Sequence, residues 1–364
     1  MLDNFVIQDR GGFIYNSPVP NLTVQTAHSL GEFDPADWDA LSAGRPFQSY
    51  RWYKFGERVM ADCPLTVIVI RNGDKPLARA TFWLVRNEPL PLPAGLRSGF
   101  RYFLQNHPLL ICRSPLSDSS GLVLADGFGK EAKHLLLTAA QEELRRQHAS
   151  FLLFDFMDAA RDTWPGNFKK LVVSDPGTSL DVTWSDFDSY LSAGNKKDRQ
   201  HYKRSLREAE AQGLKLNRRG TVENVDAALH LIGNVSRKFG SAPSPWMPDL
   251  VENLQMVNST WLEVRRGDEL VGCGALVRDN GTQLATALGL AVNIPYAYFL
   301  LVYTTIQEAI EHGMKTIRLG SGAYDVKRRL GFKLEDNNHI ILMGAGQFSR
   351  GVTRLASWMM GDYQ

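Results

Sequence analysis

Leu135 to Phe156 reads LLLTAAQEELRRQHASFLLFDF, and Leu301 to Gly320 reads LVYTTIQEAIEHGMKTIRLG. In this register Thr138 falls on Thr304, and the Gln141-Glu142 pair falls on Gln307-Glu308. Each stretch has the pattern of a helix running into a buried strand. Upstream of each lies a hairpin pattern, LTVIVIRNGDKPLARATFWLV from Leu65 and TWLEVRRGDELVGCGALVRD from Thr260. The turns fall at Asn72-Gly73-Asp74 and Arg266-Gly267-Asp268. One unit, strand-turn-strand-helix-strand, is therefore used twice. The offset between copies is 194 residues in the hairpins and 166 in the helices, so the first copy carries an insertion of 28. Pro89, Pro91, Pro93, Gly95 and Gly99 place it after the first hairpin, as a loop.

A chain of 364 residues with 44% hydrophobic content buries enough surface for two domains. Its net charge of +2 implies no polyanion partner for the molecule as a whole. Cys63, Cys112 and Cys273 are odd in number, far apart and set in apolar strand patterns, as expected of reduced core residues. Eight scattered histidines form no ligand spacing, and Gly127-Phe128-Gly129-Lys130 lacks the Walker spacing. Neither a metal nor nucleotide hydrolysis is expected. The start, MLDNFVIQDRGG, lacks a signal-peptide pattern, and no run of about 18 apolar residues occurs. These features predict a cytoplasmic protein without stable membrane insertion.

The reading divides the chain into an N-terminal arm (1–32), a first unit (33–180), a basic helical connector (181–212), a second unit (213–346) and a C-terminal helix (347–364). Each unit is α/β (α+β): a mixed, mostly antiparallel sheet flanked by helices. The connector helix, from about Lys196 to Gln212, carries Lys196, Lys197, Arg199, Lys203, Arg204 and Arg207. Lys196, Arg199, Lys203 and Arg207 share one face, a candidate phosphate-binding surface or a solvated helix face. Tyr202, Leu206 and Ala209 form its predicted buried stripe. In the last helix, Phe348, Val352, Leu355, Trp358 and Met359 line one face with Arg350 and Arg354 beside it. That face is predicted to dock on the core, since one short helix gives little membrane affinity.

Three stretches carry a resemblance. Gln48-Ser49-Tyr50-Arg51-Trp52-Tyr53-Lys54 is similar to the Q-S-x-x-W-x-x-K opening of Fem-type peptidyltransferases, with Ser114-Pro115 through Asp118 similar to the proline-and-aspartate segment that follows. KKDRQHYKRSLREAEAQGLKL from Lys196 resembles their basic helix, and Gly320-Ser321-Gly322 through Lys327 their G-x-G-x-x-x-x-K closing loop. Together with the repeated unit, these resemble tandem GNAT acyltransferase domains, as in Fem-type enzymes and acetyltransferases of the cellulose-biosynthesis type. The resemblance implies transfer of an acyl group and, for Lys327, a role in donor binding or transition-state stabilisation. Two departures from ordinary GNAT sequences stand out. Ala287-Leu288-Gly289-Leu290-Ala291-Val292-Asn293-Ile294-Pro295 lacks the [RQ]-x-x-G-x-[GA] loop that cradles coenzyme A pyrophosphate at a helix N-terminus. Lys327 stands where those sequences often have a tyrosine that protonates the leaving thiolate.

An amine attacking an ester or thioester must be neutral, yet a free alkylamine near pKa ~10 is about one part in a thousand neutral at pH 7. The carbonyl oxygen then gains charge, and a placed donor is worth about 3–4 kcal/mol. Lys327 is a candidate for that donor, with backbone N–H groups at Gly320 or Gly322; Asp325 is the nearest candidate base and Tyr324 a candidate acid. Ser321, Arg329 and Gly289 join the candidate donor-binding residues, with Trp52 and Trp246 as pocket-lining or core side chains. The competing reading is structural: a tight strand-to-helix turn followed by a solvated turn ahead of a Gly331 cap. The expected activity is transfer from an acyl-CoA or similar thioester to a primary amine of a small molecule or cell-envelope precursor, with no tightly bound cofactor, metal or covalent intermediate. Aminoacyl-tRNA as co-substrate, which makes tRNA a partner, is the first alternative. A catalytically silent binding scaffold is the second. Acceptor, acyl chain and oligomeric state are not set by the sequence.

Overall fold

A computed structural model describes residues 22–89, 94–158, 164–173 and 175–360. The first half opens with β1 (Leu22–Ala27), α1 (Pro35–Ser42) and α2 (Tyr50–Val59). Asp34 caps α1 by accepting from the Ala36 and Asp37 N–H groups, and Pro35 fills its first turn, where a missing N–H costs nothing. Ser49 caps α2 through the Trp52 N–H, as its sequence predicts. Next come β2 (Leu65–Asn72), β3 (Lys75–Val85), α3 (Ala94–Asn106), β4 (Leu109–Ser114), β5 (Ser119–Ser120), β6 (Leu122–Leu124), α4 (Lys130–Arg146), β7 (Phe151–Met157) and β8 (Lys169–Val172). The second half runs β9 (Thr178–Asp181), α5 (Phe187–Ala193), α6 (Lys196–Ala211), β10 (Leu214–Arg219), α7 (Val225–Phe239), α8 (Met247–Glu252), β11 (Asn258–Arg266), β12 (Glu269–Asp279) and β13 (Thr282–Leu290). It ends with α9 (Pro295–Glu311), β14 (Thr316–Leu319), α10 (Tyr324–Arg329), β15 (Lys333–Leu334), β16 (His339–Gly344) and α11 (Gln347–Met360).

Both hairpins turn on a glycine in the left-handed region, Gly73 at φ +58° and Gly267 at φ +60°, which a side chain would strain. The two sheets have the same plan, in the orders β1-β2-β3-β4-β7-β16-β8 and β10-β11-β12-β13-β14-β9-β15. In each, one central pair is parallel, β4 with β7 and β13 with β14, while its neighbours are antiparallel. The fold is thus two GNAT-like domains in tandem.

The insertion divides in two. Twenty-three residues separate Val85 from its neighbour-strand partner Leu109, where two separate Asp279 from Thr282. Ten separate Cys112 from Val123, where three separate Ala285 from Gly289. The first difference holds α3 rather than a loop; Pro91 and Pro93 lie outside the described residues. The second expands a bulge, marked in the second half by Ala287 at φ +53°, into the Arg113–Gly121 hairpin.

Several boundaries shift. The arm assigned to residues 1–32 includes β1, which pairs along its whole length with β2. The line at 180/181 cuts β9, which belongs to the second sheet between β14 and β15. β16, assigned to the second unit, lies in the first sheet between β7 and β8. The halves therefore exchange a strand in each direction. The connector is part of the second half, because Tyr190 and Tyr202 pack with Val302, Tyr303 and Ile306 of α9. On α6 the buried face is Ser205 and Ala209 with Tyr202; Leu206 is 39% exposed.

One hydrophobic cluster runs from α2 through β2 and β3 into α7, α8 and β11–β13, so the halves share a core. Trp52 and Trp246 both sit in it. All three cysteines are free and buried, and burial pushes their thiols up. The apolar face of α11 docks only in part: Val352 and Ala356 pack against the shared core, and the Phe348 ring lies against Phe103 and His107. Ser349 and Thr353 are its buried positions, while Phe348, Leu355, Trp358 and Met359 are exposed. No helix among the described residues is long and apolar enough to cross a membrane.

Candidate active site

A parallel pair that diverges leaves backbone groups open at its carboxyl end, where open α/β sheets bind ligands. The ladder of β13 with β14 ends at Ala285 and Leu319; that of β4 with β7 ends at Cys112 and Phe154. The chain leaves β14 into Gly320-Ser321-Gly322 and then α10. Lys327 of α10 is buried, and its Nζ donates to the carbonyl oxygens of Gly320 and Ser321. Burial lowers its pKa to about 8, against the opposing pull of Glu335. Within a trans peptide the C=O and the following N–H point in opposite directions. Lys327 therefore turns the Ser321 and Gly322 N–H groups away from itself, on a loop whose Ser321 is exposed.

The other candidates of this loop separate. Tyr324 donates its hydroxyl to the Pro176 carbonyl at 2.9 Å, tying α10 to the approach of β9, and burial raises its pKa. Asp325 is exposed and paired at 3.3 Å with Arg328 on the outer side of α10. Residues two apart on a helix do not share a face, so Asp325 cannot serve as base for a reaction beside Lys327.

The second sheet meets the expanded bulge of the first through Arg318 of β14. Its Nη1 donates to the Ser117 carbonyl at 2.8 Å and to Ser119 Oγ at 2.7 Å, and its Nη2 to the Asp118 carbonyl at 2.8 Å. Glu335 receives it bidentately at 2.5 and 2.8 Å. Asn337 Nδ2 adds a bond to the Asp118 carbonyl at 2.9 Å. Asp118, at φ +48°, keeps an exposed side chain whose carboxylate has no hydrogen bond among the described residues. Its pKa is nonetheless raised, by surrounding protein first and by Glu335, with Arg318 opposing.

A second cluster adjoins it at the divergence of β4 and β7. Arg113 forks onto Glu88 at 2.8 and 2.6 Å and reaches Asp155 at 3.6 Å. Burial raises the Asp155 pKa to about 7, reinforced by Glu88 and Asp118 and opposed by Arg113. Arg318, Glu335, Arg113, Glu88, Asp155 and Asp118 were not singled out as site residues from the sequence. The available signal was a charge inside an apolar strand, Arg113 in LLICRS, Asp155 in FLLFDFM and Arg318 in TIRL.

The remaining candidates are placed as follows. Trp52 is in the core, with Nε1 donating to the Pro115 carbonyl at 2.9 Å, so it lines no pocket. Trp246 is also buried, bonded to Asp62 at 3.0 Å with Arg113 over its ring at 5.6 Å. Gly289 is buried where a Cβ would lie 2.8 Å from the Ile232 nitrogen, so it serves the close approach of α7 rather than a donor. Arg329 and Arg199 line one groove of about 410 Å³ with Trp184, Tyr190 and Tyr303. Arg199 also donates to the Gly194 carbonyl at 2.5 Å, tying α6 to the end of α5. Lys196 and Lys203 are exposed.

The acetyltransferase (GNAT) domain family matches residues 196–328. No curated protein sequence matches the chain significantly. Among solved structures, the crystal structure of FemX aligns with a TM-score of 0.54 at 11% identity, over 87% of this chain and 96% of that one. The tandem GNAT protein from the clavulanic acid biosynthesis pathway, solved without AcCoA, gives 0.53 at 13% identity, over 89% and 99%. A conserved protein of unknown function from Bacteroides thetaiotaomicron gives 0.51 at 9%, over 85% and 97%. At these identities the likeness is one of fold. Residues 196–328 thus match the GNAT domain family, and the repeated strand order and tandem alignment give the chain as a whole the fold of two GNAT-like domains in tandem, similar to that of the Fem-type protein FemX.

Proposed function

We propose that the chain transfers an acyl group from an acyl-CoA or similar thioester to a primary amine of a small molecule or cell-envelope precursor, in the seam between its halves. The observation that carries this reading is the buried Lys327 beneath the Gly320 and Ser321 carbonyls. Lys327 acts as a positioning residue: it fixes the loop so that outward N–H groups stabilise the oxyanion, where a single donor is worth about 3–4 kcal/mol. The amine nitrogen attacks the carbonyl carbon, forming a C–N bond, and the C–S bond breaks as the thiolate leaves and takes a proton from solvent. Asp118 accepts the ammonium proton; its raised pKa brings it nearer the working pH, as a general base requires.

Aminoacyl transfer from tRNA is the second reading, favoured by the exposed cations of α6 and by the start of α9. There Ile294 makes no side-chain cap and Pro295 removes an N–H, which weakens that helix end as a phosphate cradle. A thermal-shift titration with acetyl-CoA tests the first reading directly, and a gain in Tm is the expected result. No gain, with RNase-sensitive turnover of charged tRNA, would replace it with the second. Silence in both assays would leave a binding scaffold.

A further inference from the structure

We infer that α11 docks on an anionic phospholipid surface, its apolar face in the headgroup region and the groove beside it holding a lipid phosphate. Phe348, Leu355, Trp358 and Met359 are 61, 56, 69 and 68% exposed. Phe348 rests one side of its ring against Phe103 and His107, and with Leu355, Trp358 and Met359 it leaves a largely exposed apolar patch on one 14-residue helix, of the kind that marks an interaction site. The helix has no acidic residue.

Where α11 crosses β8 and the end of β16, a groove of about 330 Å³ is lined by Asn167, Lys169, Arg350, Thr353 and Arg354. Among the described residues, none of its three cations meets a carboxylate. Thr353 is 2% exposed, yet its hydroxyl has no hydrogen-bond partner among the described residues. A buried orphan hydroxyl costs free energy unless something completes it. Three cations and one free hydroxyl, joined by an amide, suit a phosphate monoanion or diester.

Charge chooses between a membrane and a second copy of the chain. In a two-fold contact the same patch meets itself, so Arg350 and Arg354 would face their own copies with no acid on the helix to separate them. An anionic bilayer instead supplies phosphate to the arginines and an apolar layer to the tryptophan, methionine and leucine. This surface shares no residue with the candidate active site, and the inference does not depend on the proposed reaction.

Flotation of the full chain with phosphatidylglycerol-containing vesicles at low salt tests it, with phosphatidylcholine vesicles and inorganic phosphate as the other arms. Binding to the anionic vesicles, weakened by salt, is expected. Arg350→Ala/Arg354→Ala should lower partitioning by about twenty-fivefold, from roughly fivefold per cation at such a surface. Leu355→Ser/Met359→Ser should abolish it while thermal unfolding stays unchanged, because both positions are exposed. No flotation with the anionic vesicles would overturn the inference, as would equal flotation of the arginine variant. Thermal stabilisation by inorganic phosphate without vesicle binding would reduce the groove to a site for free anions. A dimer in light scattering that Leu355→Ser/Met359→Ser dissolves would make the face a contact between copies.

Discussion

Arg318 Nη1 donates to the Ser117 carbonyl at 2.8 Å, across 201 positions of sequence, so a strand of the second sheet holds a loop of the first. The loop is the expanded bulge that carries Asp118. Its register against the second half depends on one guanidinium whose remaining donors are taken by Glu335, Ser119 and the Asp118 carbonyl.

Removing one partner of a buried pair leaves the other charge uncompensated. Arg318→Met should therefore lower stability in urea unfolding by about 3–5 kcal/mol. Arg318→Met/Glu335→Met should recover most of that loss. A double variant as unstable as the single one would mean that the carbonyl bonds, not the ion pair, hold the seam.

Lys327 predicts a pH dependence with a definite sign. Its folded-state pKa of about 8 lies below the usual 10.5, so within that window the unfolded chain holds a proton the folded chain has released. Stability attributable to this group rises with pH from about 8 to 10.5, and the burial penalty is fully present below 8. The wild type should gain roughly 3 kcal/mol relative to Lys327→Met across the window. Turnover of Lys327→Met should fall by roughly a hundredfold, with partial rescue by Lys327→Arg. Parallel stability curves for wild type and variant would place the lysine in water instead.

Gly289→Ala separates packing from donor binding. Its Cβ would sit 2.6 Å from Cys273 Sγ and 2.8 Å from the Ile232 nitrogen, an overpacking expected to cost about 1–3 kcal/mol. The KM for the donor should not change. A raised KM with unaltered stability would return Gly289 to the donor site.

The exchanged strands predict that the first half does not fold alone. Residues 1–172 lack β16, the partner of both β7 and β8, and leave the apolar edge of β7 open. Expressed alone, this fragment should be insoluble or molten by near-UV circular dichroism. A cooperative unfolding transition for it would contradict the exchange.

The repeat was legible because helix, turn and hairpin signals are local: Gly73 and Gly267, Ser49 and Pro295 act where they stand. Strand exchange was not, because β9 and β16 are short apolar runs whose partners lie far along the chain, and either sheet satisfies their hydrogen bonds. The closing loop was singled out, but not the direction of its groups. Nothing in Tyr324-Asp325-Val326-Lys327 says which side chain turns inward until the helix phase is fixed by Leu330 and Val326 in the core. Asp118 was noticed as part of a resemblance but not singled out as a candidate base, since two of the charges that act on it, Arg318 and Glu335, come from the other half.

The pH dependence of kcat/KM, compared between wild type and Asp118→Asn with a donor and amine that the wild type turns over, bears most directly on acyl transfer in the seam. Wild-type activity should rise through an apparent pKa above the ordinary carboxylate range, and the variant should lose that limb and about a hundredfold in rate. Equal rates and superimposable profiles would mean that the transfer takes place without Asp118, away from the seam between the two halves.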